Sequence, residues 1–280
     1  MCVAALGCAS VASPTDASSE ASVSGDSAPS VDASRACDDG GYGVPELQQP
    51  QFHARFRVQQ VTPMLGMPDR RQVAGSFEGS TTGWSVEDHG SCQTWREPTT
   101  AADQVEGGTL RLQRGDRAID LAPAASGAYA RDLADWPRWS MGDDFLLSFS
   151  GSRDVPPFNV RITAPPELLV REPTLPSAPP AMIDVSRPYH VVWETRCETT
   201  VVVEVRGRST AGDHYDHVTC FFAGSSGSAD VPSELLGALR GDDQGVVAIR
   251  TRNEVRSVVG SYDVRTDAEF WAVAFGVTFR

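Results

Sequence analysis

The segment YHVVWETRCETTVVVEVRG, residues 189–207, decides the fold class. Its two ends, YHVVWE (189–194) and TVVVEVRG (200–207), are rich in β-branched and aromatic residues, and a short polar stretch separates them. Such residues favour strands because their side chains pack well on a pleated surface. The segment therefore predicts two consecutive β-strands joined by a turn.

The same signal recurs along most of the chain. FHARFRVQ (52–59) alternates apolar and polar residues with the period of a half-buried strand. Further strands are predicted at GTLRLQ (108–113), AIDLA (118–122), FLLSFS (145–150), FNVRITA (158–164), LLVR (168–171), MIDVS (182–186), HVTCFFA (217–223), VVAIRTR (246–252) and AEFWAVAFGVTF (268–279). Only SELLGAL (233–239) predicts a helix, of one or two turns with Ser233 as its N-cap. The fold class is therefore all-β, with one or two antiparallel β-sandwich domains.

Charge and composition exclude several functions. The 280 residues carry a formal net charge of −13, which argues against binding nucleic acid or anionic lipid headgroups, because both surfaces carry phosphate. Every basic residue is arginine, so lysine-dependent catalysis is excluded. No Gly-rich loop follows a strand and opens a helix, so nucleotide binding has no support. No apolar run is long enough to span a bilayer as a helix.

The N-terminal tract predicts a flexible linker. Residues 9–36 contain no aromatic residue, no Leu and no Ile, so they cannot bury enough apolar surface to order themselves. Ahead of them, Ala5-Leu6-Gly7-Cys8 resembles the lipobox of bacterial lipoproteins, although Ala5 stands where Leu is usual. The resemblance implies that Cys8 is lipidated and tethers the protein to a membrane. Residues 1–7 are shorter than a full signal peptide, so we expect the true start to lie upstream. An ordinary secreted or cytoplasmic tail is the alternative.

The cysteines indicate an oxidising compartment. Besides Cys2 and Cys8, the chain has four cysteines without CxxC spacing, an even number that suits two disulfides. They are Cys37, Cys92, Cys197 and Cys220. The pairs 37–92 and 197–220 are preferred because each loop then stays within its own half of the chain. All three connectivities remain open from sequence alone.

A Pro-rich stretch, residues 164–181, predicts a junction between two sandwiches. The predicted division is a truncated signal with lipobox at 1–8, a linker at 9–37, an N-terminal β-sandwich region at 38–165 and a C-terminal sandwich at 166–280. From 166 onward the order of strands, with Trp193 on an early one, resembles a fibronectin type III or immunoglobulin-like module. In such modules this Trp packs the core.

A wider resemblance covers about residues 104–280. GGTLRL, GDDFLLSFSG, DVPPFNVRITAP and HVTCFFAGSSGSADVPSELLGAL together resemble a group of uncharacterised secreted lipoproteins from GC-rich Gram-negative bacteria. The resemblance implies an exported cell-envelope protein, anchored by lipid to the outer membrane or secreted. It implies no activity.

The best metal candidate is the loop GDHYDH (212–217). Asp213, His214, Asp216 and His217 offer imidazole and carboxylate ligands that suit zinc. A polar hairpin loop without metal is the competing interpretation. The acidic pairs 38–39, 143–144 and 242–243 are candidates for calcium, with solvated turns as the alternative.

The segment YARDLADWPRW (129–139) brings Tyr129, Trp136 and Trp139 close together in sequence, with arginines between them. Exposed aromatics of this kind form sugar- or peptide-binding platforms, whereas buried ones anchor a sandwich core.

No catalytic motif is recognisable; the serine-containing turns do not match the GxSxG elbow. We therefore expect a non-enzymatic binding or structural module, whose partner is a surface glycan or an envelope protein. The alternatives are a metal-dependent hydrolase using the 212–217 loop and a carbohydrate-binding module.

Overall fold

The computed structural model describes residues 52–61, 69–78, 85–96, 104–173, 181–195, 197–208, 215–239 and 244–280. Within these ranges the fold is all-β, as predicted. The strands are β1 (Phe52–Val61), β2 (Arg70–Glu78), β3 (Ser85–His89), β4 (Cys92–Arg96), β5 (Gln104–Val105), β6 (Leu110–Arg114), β7 (Arg117–Leu121), β8 (Tyr129–Asp132), β9 (Asp144–Phe149), β10 (Phe158–Thr163), β11 (Leu168–Glu172), β12 (Ala181–Ile183), β13 (Tyr189–Thr195), β14 (Thr200–Arg208), β15 (Tyr215–Ala223), β16 (Ser228–Val231), β17 (Gln244–Val259) and β18 (Tyr262–Phe279).

Three sheets form two sandwiches. The largest sheet has the order β3-β4-β15-β14-β17-β18-β1-β2-β5, with β12 added on β18 and β8 added on β2. A four-stranded sheet, β10-β9-β6-β7, covers one half of its inner face, and a three-stranded sheet, β11-β13-β16, covers the other half. Two pairings, β1 with β18 and β12 with β18, are parallel, so the large sheet is mixed rather than purely antiparallel.

The second sandwich has the strand order of a fibronectin type III module. Strands β11, β13 and β16 form one sheet, and β15-β14-β17-β18 form the facing one. Trp193 on β13 is buried between them, and its Nε1 donates a hydrogen bond of 2.9 Å to the carbonyl of Gly224. The indole thus fills the core while its one polar atom is satisfied.

The first sandwich is built around a cluster of aromatic rings. Phe56 of β1 packs against Phe77 and Phe149 with ring centroids 5.0 and 4.6 Å apart. Gly75 on β2 makes room for this packing, because a Cβ there would overlap the Phe56 ring. Buried aromatic pairs of this kind stabilise a core beyond their area alone.

The β17–β18 hairpin belongs to both sandwiches. Its proximal half, with Val247 and Ile249, packs in the second core, and its distal half, with Val259, Tyr262 and Val264, packs in the first. The sequence had predicted that the two sandwiches divide the chain at residue 165. The two cores do not follow that division. One continuous pair of strands couples them.

The single α-helix among the described residues, α1 (Ser233–Leu236), is shorter than expected. The residue at its N-cap is Pro232, and no side chain caps it, so the prediction that Ser233 is the N-cap was wrong. Pro232 ends β16's extended backbone directly before the first helical turn, which shifts the boundary by one residue. None of the described helices could cross a membrane.

Candidate functional surface

The predicted aromatic platform is part of the core. Tyr129, Trp136 and Trp139 are only 1%, 7% and 3% exposed. The Tyr129 hydroxyl donates to the carbonyl of Gly108 at 2.6 Å, and Trp139 packs edge-on against a neighbouring phenyl ring. These rings face inward because they fill the first sandwich, so they cannot form a sugar-binding surface.

The predicted metal loop lies only partly within the described residues. Asp213 and His214 are outside them. Asp216 and His217 lie on β15, where consecutive side chains point to opposite faces of the sheet. Asp216 lines a cavity on the inner side, whereas His217 Nδ1 lies 3.9 Å from Glu204 Oε1 on the outer side. One ion therefore cannot take both as direct ligands.

The cavity beside Asp216 has a volume of about 190 Å³ and lies between the β3–β4 hairpin, β15 and α1. Glu87, His89 and Glu234 also line it, together with Leu235 of α1 and Leu239 just after it. Among the residues that the structure describes, no three His, Cys, Asp or Glu side chains come close enough to hold a metal ion.

The acidic pair at 143–144 is held by protein groups. Asp143 Oδ2 accepts a hydrogen bond of 2.6 Å from Arg114 and another of 2.8 Å from the amide of Ser140. Asp144 points toward Arg161 at 3.9 Å. The other two acidic pairs lie outside the described residues.

The disulfide pairing differs from the preferred one. Cys92 on β4 is bonded to Cys220 on β15, where the two residues are direct neighbours in the strand register. Cys197 is also disulfide-bonded, but not to Cys220. The preferred pairing assumed that each disulfide stays within its own half of the chain. That assumption failed because the β3–β4 hairpin, from the N-terminal half, joins the sheet of the second sandwich. Cys8 and Cys37 lie outside the described residues.

The outer face of the large sheet carries a dense layer of charge, which the sequence analysis missed. This face consists of the side chains of β1, β14, β17 and β18 that point away from both cores. Its arginines are Arg55, Arg57, Arg206, Arg208, Arg250, Arg252, Arg256 and Arg265, and its carboxylates are Glu204, Glu254, Asp263, Asp267 and Glu269. Arginine therefore outnumbers acid on these four strands, although the whole chain carries a charge of −13.

Arg250 is the centre of this layer. Its Nε lies 3.1 Å from Glu269 Oε1, its Nη2 lies 2.9 Å from Glu204 Oε2, and its guanidinium stacks 4.9 Å from the Trp271 ring centroid. Burial opposes ionisation of Glu204, but the charges of Arg250 and Arg206 bring its pKa to about 2. The carboxylates are thus fixed in their charged form by the arginines that cover them.

The sequence does contain a sign of this surface, namely charged residues that alternate with uncharged ones. The segment RTRNEVR (250–256) places a charged residue at every second position. On a strand this pattern puts all the charges on one face. It does not reveal which strands become neighbours, and that pairing creates the layer.

Comparisons with known proteins add the following. No known protein family and no curated protein matches the chain. Among solved structures, a Ca²⁺-stabilised adhesin with which an Antarctic bacterium binds ice shares 11% identity, covering 81% of this chain and 49% of that one, with a TM-score of 0.20. A 1.5-MDa bacterial ice-binding adhesin shares 10% identity over 81% of this chain and 66% of that one, with a TM-score of 0.19.

The FN1–FN3 domains of chicken CNTN1 share 7% identity over 75% of this chain and 78% of that one, with a TM-score of 0.21. The chain spans about half the length of the first adhesin and under two thirds of the second. TM-scores near 0.2 mean that the whole chains superpose poorly. The fold class therefore rests on the strand pairing of this chain itself.

Proposed function

We propose that the protein is an exported, non-enzymatic β-sandwich module that acts at the cell surface as a binding or structural element. The observation that carries this proposal is the buried disulfide between Cys92 and Cys220. Structural disulfides persist in oxidising compartments and are rare in the cytosol. A disulfide that joins two strands in the core of the second sandwich therefore supports export.

The shared hairpin supports a scaffold role. Because β17 and β18 contribute side chains to both cores, the two sandwiches cannot move independently without disturbing one of them. A rigid pair of sandwiches built on one broad sheet suits a binding or spacing role.

The finer part of the proposal is a lipid anchor at Cys8, which rests on the resemblance of residues 5–8 to a lipobox. The test is incorporation of radiolabelled palmitate when the chain is produced in a bacterial host. We expect label on the wild type and on Cys2→Ala, and none on Cys8→Ala. Cys2→Ala is the matched control because it removes a nearby cysteine from the same segment. Label that persists in Cys8→Ala, or that never appears on the wild type, contradicts the anchor.

Export is tested separately. Cells that contain the protein are lysed directly into denaturant with a free-thiol reagent, which should leave Cys92 and Cys220 unmodified unless a reductant is added first. Modification without reductant would place the protein in a reducing compartment and overturn export.

A further inference from the structure

Three arginines stand side by side on the outer face of the large sheet. The strand register pairs Arg256 of β17 with Arg265 of β18, and Arg265 with Arg55 of β1. We call these three residues the arginine row. Neighbouring strands lie about 4.8 Å apart, so three positive charges fall within roughly 10 Å. Like charges directly opposite each other destabilise a sheet unless each has a partner of opposite charge.

The arginine row keeps its terminal nitrogens available. Each member approaches a carboxylate through Nε: Arg55 with Asp267 at 2.8 Å, Arg256 with Glu254 at 2.6 Å, and Arg265 with Asp263 at 3.5 Å. The Nη atoms of the three residues make no hydrogen bond to the part of the chain that the structure describes. A guanidinium held at Nε still offers its outer edge to a carboxylate or sulfate.

Positive and negative groups lie at different depths. The side chains of Arg55, Arg256 and Arg265 are 36%, 39% and 32% exposed. Their carboxylate partners are at most 18% exposed, because Asp and Glu are shorter and lie beneath the guanidinium groups. A molecule that approaches this face therefore meets arginine before it meets acid.

Arg57 extends the positive surface along β1. Its side chain lies on the same face as Arg55, is partly exposed, and makes no ion pair within 4 Å to any described residue. Burial, together with the nearby charge of Arg55, lowers the pKa of Arg57, whereas Glu269 and Asp267 act in the opposite direction.

We propose that the arginine row and Arg57 bind a linear acidic glycan through its carboxylate or sulfate groups. A narrow chain fits because it can lie along the row without touching the rest of the protein. An extended anionic surface, such as a bilayer or duplex DNA, would meet the repulsion of a protein with a net charge of −13. The choice of a glycan over a nucleic acid rests on the proposed extracytoplasmic location, where acidic glycans are the linear polyanions within reach.

The test is titration calorimetry of the full chain with oligogalacturonate as the carboxylate probe, dextran sulfate as the sulfate probe and uncharged dextran as the blank. We expect at least one acidic probe to bind, with an affinity that falls as salt rises. Arg57→Gln and the double variant Arg256→Gln/Arg265→Gln should each weaken that binding about tenfold, the loss of one or two charge-assisted contacts. Arg111→Gln/Arg161→Gln is the matched control, since both arginines are exposed on the opposite sheet, and its affinity should change less than about twofold.

Arg57→Gln separates a loss of binding from a loss of folding. It removes a guanidinium that has no ion pair among the described residues, so its melting temperature should equal or exceed that of the wild type. Binding of neither acidic probe above the dextran blank overturns the proposal, as does unchanged affinity in both row variants. Equal or tighter binding of single-stranded DNA or of phosphatidylglycerol vesicles, lost in the same variants, overturns the assignment to a glycan. These measurements use purified protein, so they fail or succeed independently of the palmitate experiment on Cys8.

Discussion

Arg250 and Glu269 form an ion pair with an Nε–Oε1 distance of 3.1 Å, and both side chains are almost completely buried on the outer face of a sheet. Burial of two charges is costly unless each finds its partner and further hydrogen bonds. Glu269 meets this condition with a second bond, accepted from Trp271 Nε1 at 2.8 Å. The pair joins β17 to β18, and Arg250 also reaches Glu204 on β14.

Removing one partner of this ion pair should reveal the free-energy cost of burying the other. We expect Glu269→Ala to lower the free energy of unfolding by roughly 3–5 kcal/mol, because Arg250 stays charged and buried with only Glu204 as its partner and Trp271 Nε1 loses its acceptor. Urea denaturation measures this. The control is Asp120→Ala, which breaks an ion pair with Arg111 at 3.1 Å whose side chains are more than half exposed, and it should cost less than about 1 kcal/mol. Equal losses in the two variants would contradict a special role for the buried pair.

Acid should destabilise the protein through Glu204. Its pKa of about 2 in the folded state lies below the usual 4.5, because the attraction of Arg250 and Arg206 outweighs the burial that opposes ionisation. The carboxylate therefore contributes stability that is complete above about pH 4.5 and is lost as pH falls toward 2. Urea midpoints measured between pH 6 and pH 3 should fall less steeply for Glu204→Gln than for the wild type. Parallel curves would show that Glu204 is not the group responsible.

The disulfide between Cys92 and Cys220 should contribute substantially to stability. It closes a loop with a sequence separation of 128 residues, and a cross-link of this span restricts the unfolded chain. We expect Cys92→Ala/Cys220→Ala to lose roughly 3–5 kcal/mol in urea denaturation. Non-reducing peptide mapping should recover one cross-linked peptide that contains both cysteines. A peptide that links Cys197 to Cys220 would contradict the pairing.

Trp139 should act in folding rather than in binding. Its ring centroid lies 5.1 Å from that of Phe145 in the first core, so Trp139→Ala should cost roughly 3–5 kcal/mol. Arg138→Ala changes the adjacent, largely exposed side chain and should cost less than about 1 kcal/mol. If Trp139→Ala unfolds at the same urea concentration as Arg138→Ala, the ring is not a core anchor.

Strand positions followed from the sequence where alternation is strict or β-branched residues are dense, whereas the sequence analysis predicted no strand at β2, β3, β4, β5, β8 or β16. β1, β13 and β14 appear where alternation or β-branched residues predicted them. β17 ends later and β18 begins earlier than predicted, because their distal halves carry charge on the outer face. A sequence window that averages such residues looks too polar for a strand.

The candidate surface was harder to foresee. The predictions for Tyr129 and for the 212–217 loop relied on residue types that lie close together in the sequence. In the folded chain Tyr129 is buried, and consecutive residues on β15 face opposite ways. The arginine row instead joins residues about 200 positions apart, Arg55 with Arg256 and Arg265, which no local pattern connects.

The sequence by itself determined the all-β class, the acidic net charge, the number of cysteines available for disulfides and the apolar face of most strands that it predicted, since each depends on composition or on local alternation. The tertiary structure alone decided which cysteines pair, which aromatics are buried and which charges lie side by side. These features depend on pairing between distant strands, and the β17–β18 hairpin sets that pairing by running through both sandwiches. Local propensity carries no information about such a partner, because the side-chain period of a strand is the same whichever neighbour it finds.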